Sequence, residues 1–331
     1  MSNQQNRIHY ALFGAAAFLL SLYFSHMHIL MCDQAEKASL DLLLTNNADT
    51  PFQYRVLVPW LVQSVSRWLS PNLLSPIQMF RMAEFFFTFS LCIVFRSYIN
   101  LFIEDAMRSS VYALSIFLLL PYQYIFYSPS LHSIFYPSDV PSVFFFTLGL
   151  ILIYKKNWFL YYPIFAIATF NRETTIFLVF ICWITAISKT NMLSVTSQCL
   201  VQMVLWVLIK QFLAVLYADN PGPGFFVNFI STNWMKLGNP LNVIRIASSF
   251  CFVWVAVLYR FSCITSDFLK RTTFVIFPYL VGMFIVGNII ELRIFGELIP
   301  VVLIVFWVII DRSLFQFQNQ TPCFSEEKAE R

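Results

Sequence analysis

The stretch Phe170-Asn171-Arg172-Glu173-Thr174 sets two opposite charges side by side between strongly apolar segments at 158 to 170 and 174 to 187. As helices, these segments would each rise about 20 Å, against about 30 Å of bilayer hydrocarbon. Their junction is therefore expected at membrane depth. Ionised side chains and non-helical backbone survive there only inside a helix bundle or beside water, because an unpaired charge costs roughly 2.5 to 3.5 kcal/mol. The run predicts a polar cavity inside an all-α polytopic integral membrane protein.

The composition around it agrees. Of 331 residues, 59% are hydrophobic and 11% charged, which excludes an ordinary soluble surface. The net charge of +4 is scattered, with no basic block of the kind that follows a nucleic acid backbone, so no nucleic-acid partner is expected. The cysteines fall in apolar segments or on one side, leaving Cys32 alone outside, and suggest no disulfide framework. The apolar stretch from Tyr10 to Met31 is too long for a signal peptide and reads as a retained first span.

Apolar windows at 10–31, 83–103, 109–128, 139–154, 158–170, 174–187, 196–217, 242–259, 272–290 and 294–311 predict about ten crossings or half-crossings. Arg7, Arg96, Arg108, Lys155, Lys156, Lys189, Arg260, Lys270, Arg271 and Arg312 then share one face, which the positive-inside rule makes cytoplasmic. Both termini lie there. A single kinked helix over 158–187 would export Lys189 and every later cation, so charge favours two short helices. The expected organisation is one transmembrane domain over 1–312 and a short cytoplasmic tail over 313–331. Long outer loops are expected at 32–81 and 218–241.

Each long loop carries an amphipathic stretch. RVLVPWLVQSVSRWL, from Arg55 to Leu69, mixes an apolar stripe with Trp60, Trp68, Arg55 and Arg67, as an interfacial helix does. FFVNFISTNWMKL at 225–237 has the same character, behind the turn-forming NPGPG. The outer side also gathers the acids Asp33, Glu36, Asp41, Asp49, Glu84, Asp139, Glu173, Asp219, Glu291 and Glu297.

Several of these residues are candidates for chemistry. Asp33 follows the first span directly, and Asp49 lies further along the same loop; taken alone, each reads first as a solvated loop charge, and one functional member of the group is the better expectation. Asp139 opens a helix after Pro137 and Ser138, where it serves as a cap or a functional carboxylate. His132 is a lone loop histidine. Tyr54 and Arg55 suit recognition of phosphate at the headgroup level, or simple snorkelling to lipid. Asn171, Arg172 and Glu173 supply a polar junction, while ELRIFGELIP puts Glu291, Arg293 and Glu297 ahead of the last span. Three arginines, Arg55, Arg172 and Arg293, could hold a phosphate or diphosphate. No metal spacing, phosphate-binding glycine loop or nucleophile elbow occurs, which leaves carboxylate and arginine chemistry at a lipid surface.

On these features the chain resembles the GT-C superfamily of polytopic glycosyltransferases. The resemblance rests on Asp33 after the first span, the YRVLVPWL stretch, the paired short segments around NRET, and Arg293 ahead of the final span. It implies transfer of a sugar from a polyprenyl-phosphate donor to a lipid, glycan or protein acceptor on the outer face. The first-loop carboxylate would be the general base, with Asp33 first and Asp49 and Asp139 behind it, and arginines would stabilise the leaving phosphate. It leaves a divalent cation open as cofactor. The lack of an external glycosylation acceptor and of a retention tail fits a bacterial inner membrane, which is the expected location. Two features depart from the superfamily's pattern: the first loop has no acidic dipeptide, and no soluble C-terminal domain follows. The same charges also fit a transporter or flippase with its site at the broken helices, or a membrane scaffold without catalysis.

Overall fold

The computed structural model describes residues 3–68, 74–126, 133–187, 191–224 and 227–315, with side chains from Arg7 onward. His132, Lys189, residues 225–226 and the tail from 316 lie outside the described residues. The chain is about 80% helical.

Helix α1 (Asn3–Met31) leads into a two-residue strand β1 (Cys32–Asp33). The first long loop holds α2 (Leu40–Leu44) and α3 (Leu57–Trp68), so the amphipathic stretch read at 55–69 is helical over most of its length. Helix α4 (Pro76–Ile99) starts at a capping box, in which the Ser75 side chain accepts from the Gln78 N–H while the Gln78 side chain accepts from the Ser75 N–H. Helices α5 (Ala106–Leu114) and α6 (Ile116–Pro121) follow, ending in a π-helical turn over Tyr122–Phe126. Strand β2 (Ser133–Ile134) pairs in parallel with β1, Asp33 opposite Ile134.

Next come α7 (Asp139–Tyr154), α8 (Trp158–Asn171), α9 (Ile176–Ala186) and the long α10 (Met192–Leu216). The second loop carries α11 (Ile230–Leu237) and α12 (Pro240–Ala247), followed by α13 (Val253–Tyr259), α14 (Asp267–Thr273), α15 (Ile276–Val286) and α16 (Ile299–Phe315). A 3₁₀ turn over Leu292–Leu298 leads into α16. Most buried apolar side chains join one core, in which α4 packs against α1 and α7.

Among the described residues six helices, or seven if the bent pair below is one span, and not ten, are long and apolar enough to cross a membrane: Arg7–Met31, Pro76–Ile99, Ala106–Phe126, Met192–Leu216, Asp267–Val286 and Leu292–Phe315. Hydropathy windows overcount because they do not register length or breaks. Helices α7, α8 and α9 are apolar but have only 16, 14 and 11 residues. The window at 242–259 is a broken pair bent by 66°. The break uses Phe250, Cys251 and Phe252, all with positive φ, a conformation that costs L-residues roughly 1–2 kcal/mol each. The chain has the helices of a multi-pass integral membrane protein.

The segment 158–187 reverses direction at its charged centre. Helix α8 ends where Arg172 turns to extended backbone (φ −160°, ψ 143°), and Glu173–Thr175 make a short 3₁₀ turn into α9. Along α8, Tyr161 donates to Gln202 of α10 and Phe170 meets Phe212, whereas along α9 Cys182 meets Gln202 and the Glu173 carbonyl accepts from Trp206. Helix α8 therefore runs with α10 and α9 against it. The ends near Asn157 and Ala186 fall on one side, and the Arg172 turn on the other.

Candidate functional site

The α8–α9 turn meets the N-terminal end of α7. Asn171, buried, donates to the Ser138 carbonyl at 2.9 Å, and Arg172 reaches Asp139, the first residue of α7, at 3.2 Å. Arg172 also lies 3.4 Å from Glu297, whose carboxylate accepts hydrogen bonds from Thr174 and from Tyr279 of α15, each at 2.6 Å. Arg293 stands on the other side of Asp139 at 3.5 Å, pairs with Glu291 at 2.6 Å, and stacks over the Tyr136 ring at 4.1 Å. Asp139 and Glu297 are 0% and 1% exposed, so both depend on these partners. Taking one member from a buried pair leaves an uncompensated charge, at about 3–5 kcal/mol.

A second group faces the first across the turn. Glu173 pairs with Arg55 at 2.8 Å and with Lys210 of α10 at 3.9 Å. Tyr54 does not reach the ligand space; it is buried beneath Lys210, whose ammonium lies 5.3 Å from its ring. Arg55 is held in place by the loop before it, which is tied to the end of α10. Asn220 donates to the Asn46 and Ala48 carbonyls, Tyr217 donates to the Asn46 side chain, and the Thr50 N–H donates to the Pro221 carbonyl. Gly222, at φ +119°, packs so closely on Thr50 that a side chain would have no room.

Between the groups lies a cavity of about 380 Å³, lined by Arg55, Arg172, Lys210, Arg293, Glu173 and Glu291 together with an apolar strip. The strip includes Phe177 of α9, Trp206 of α10, Met283 and Val286 of α15, and Phe229. Around it, Arg55 Nε, Arg172 Nε, Asp139 Oδ2, Glu173 Oε2 and Asn171 Oδ1 are buried without a hydrogen-bond partner among the described residues. Such atoms are uncommon in folded chains and supply polar capacity that a ligand could use.

The charges are unevenly divided. Arg172 and Arg293 face three carboxylates, Asp139, Glu291 and Glu297, while Arg55 and Lys210 face Glu173 alone. One end of the cavity is therefore an excess anion and the other an excess cation. An anionic headgroup is favoured on the Arg55–Lys210 side.

The structure thus brings Arg55, Arg172, Glu173, Glu291 and Arg293 to one cavity, with Asp139 and Asn171 directly behind. It does not bring Asp33 or Asp49 there. Asp33 is exposed in β1, and Asp49 sits in the first long loop, 3.7 Å from Lys37. Sequence reading passed over Lys210, although a lone lysine in a 25-residue apolar helix is the kind of charge that marks a site. It also passed over Tyr279 and Tyr136, which look like ordinary aromatic residues until the fold aims one at Glu297 and the other at Arg293. Among the described residues, no group of three or more His, Cys, Asp or Glu side chains could hold a metal ion. Compared with family models, curated proteins and solved structures, the chain matches none of them.

Proposed function

We propose that the chain is a membrane glycosyltransferase that moves a sugar from a polyprenyl-phosphate donor to a lipid, glycan or protein acceptor on the outer face of a bacterial inner membrane, with both termini cytoplasmic. The observation that carries this reading is the cavity itself, where an arginine- and carboxylate-lined end continues into an apolar strip. Phosphate recognition by Arg55 and Lys210 uses charge-assisted hydrogen bonds. The strip suits the isoprenoid next to it.

Asp33 and Asp49 lie outside the cavity, and proton removal is assigned to Glu173, which lines it: the donor phosphate draws Arg55 and Lys210 away from the Glu173 carboxylate and leaves its Oε2 to accept the proton. As the acceptor oxygen attacks the anomeric carbon, its proton passes to Glu173 Oε2. The bond from that carbon to the phosphate oxygen breaks, and polyprenyl phosphate leaves against the cations.

A transporter or flippase is the second reading, favoured by one observation: buried charges sit at the break between two short helices. The test is transfer of labelled sugar from a panel of polyprenyl-phosphate donors by purified protein in lipid. Transfer that drops at least 100-fold in Glu173→Gln, with donor binding kept, supports the transferase. Absence of transfer across the panel, with substrate uptake into sealed vesicles that requires Arg172, establishes the transporter instead.

A further inference from the structure

Behind the cavity, on the far side of Tyr124, His28 in the last turn of α1 meets Glu84 of α4. His28 Nδ1 and Glu84 Oε1 are 2.6 Å apart, with side chains 0% and 1% exposed. A buried ionisable pair is commonly no more stabilising than apolar side chains of the same volume, so its presence inside a span points to use.

Three further polar atoms at this pair are unspent. His28 Nε2, Glu84 Oε2 and the Tyr124 hydroxyl are buried with no hydrogen-bond partner among the described residues. The Tyr124 ring lies 5.7 Å from the His28 ring. Its hydroxyl packs on Gly296, next to Glu297, so closely that a methyl group at 296 would overlap it. Tyr124 lies within electrostatic reach of Glu84 on one side and of Asp139, Arg172 and Glu297 on the other. The other titratable group facing His28 is the Cys32 thiol, which donates to the Tyr124 carbonyl at 3.6 Å, and Glu84 also senses Asp139.

The cavity's ion pairs join four basic to four acidic side chains and so balance before any ligand enters. A bound anion leaves at least one negative charge uncompensated in a medium where charge is poorly screened. His28 Nδ1–H points at Glu84 Oε1 and Nε2 carries the ring's other proton, so the atom of the pair left to accept a further proton is Glu84 Oε2. We infer that the His28–Glu84 pair is a proton-binding site that takes up one proton from water when an anion occupies the cavity, with Tyr124 as the bridge. The new bond is O–H at Glu84 Oε2, and the proton comes from solvent or buffer. The inference rests on the reading of the cavity as an anion site and not on sugar transfer.

The test is calorimetric titration of the full chain in lipid nanodiscs with farnesyl sulfate, an isoprenoid anion whose charge does not titrate near neutral pH. Repeating it in buffers of different ionisation enthalpy counts the protons exchanged. Wild type is expected to take up about one proton per anion bound, and Glu84→Gln and His28→Asn none, with binding weakened no more than about tenfold. Tyr124→Phe should keep the proton count but slow its appearance, as seen with a pH-sensitive dye after rapid mixing. Equal uptake in wild type and Glu84→Gln overturns the proton site while leaving the anion site standing. Absence of farnesyl sulfate binding by wild type overturns both.

Discussion

Asp139 is the residue on which the buried network turns, because Arg172 and Arg293 approach its two oxygens from opposite sides. Asp139→Ala leaves both guanidiniums short of a partner and is expected to cost about 3–5 kcal/mol. Thermal unfolding in detergent, followed by circular dichroism, checks this. Gly296 is constrained differently: its missing side chain makes room for the Tyr124 hydroxyl. Gly296→Ala should cost about 1–3 kcal/mol by overpacking, and pairing it with Tyr124→Phe, which removes the clashing oxygen, should restore part of that loss. Glu291, in the loop between the last two spans, is pushed up by burial, but the Arg293 charge and the Asn288 and Arg293 hydrogen bonds together hold its carboxyl below the usual range. A carboxyl lowered by folding stabilises the fold above its unfolded pKa and loses that contribution as pH falls through the folded value. The Arg293–Glu291 pair should therefore persist from pH 7 down through the ordinary carboxylate range. A Glu291→Gln variant should lack this contribution at pH 7, while wild type sheds it progressively as pH falls from the unfolded value through the lower folded one, as pH-dependent melting will show.

Among the elements, the loop from Asn46 to Arg55 matters most, because it carries a site arginine without belonging to a long helix. Asn220 donates to two of its carbonyls, and Asn220→Ala should loosen Arg55 and reduce binding of an anionic lipid about tenfold while leaving the helical content unchanged. Titration with a fluorescent polyprenyl phosphate measures it. The charged turn at Arg172 was legible in the sequence because ionised residues between short apolar segments are rare and expensive, and its partners Asp139 and Glu297 carried the same signal, as carboxylates beside apolar runs. Asp33 stands apart from the cavity because closeness in sequence to the first span says nothing of direction: in β1 its backbone pairs with β2 while its side chain is exposed. His28 and Glu84 could not be paired from sequence, since 56 residues separate them and no motif joins them. The broken pair at 240–259 also escaped, because Phe250, Cys251 and Phe252 adopt a backbone conformation that their side chains do not advertise.

At the scale of the whole molecule, six long apolar helices enclose shorter ones that end where their charged residues meet. Short helices stop inside the bundle, and the polar ends they leave must satisfy one another or bind something. Here they do most of the first, through ion pairs that balance across the cavity, and keep the Arg55–Lys210 side in cationic excess. The central claim is that this side holds the phosphate of an isoprenoid lipid. Native mass spectrometry of the purified protein with undecaprenyl phosphate measures it most directly. Wild type should retain one lipid under conditions where Arg55→Gln with Lys210→Met retains at least tenfold less and a control with both changes at surface residues Arg67 and Lys37 retains as much as wild type. Equal retention by the cavity variant and wild type would contradict the account.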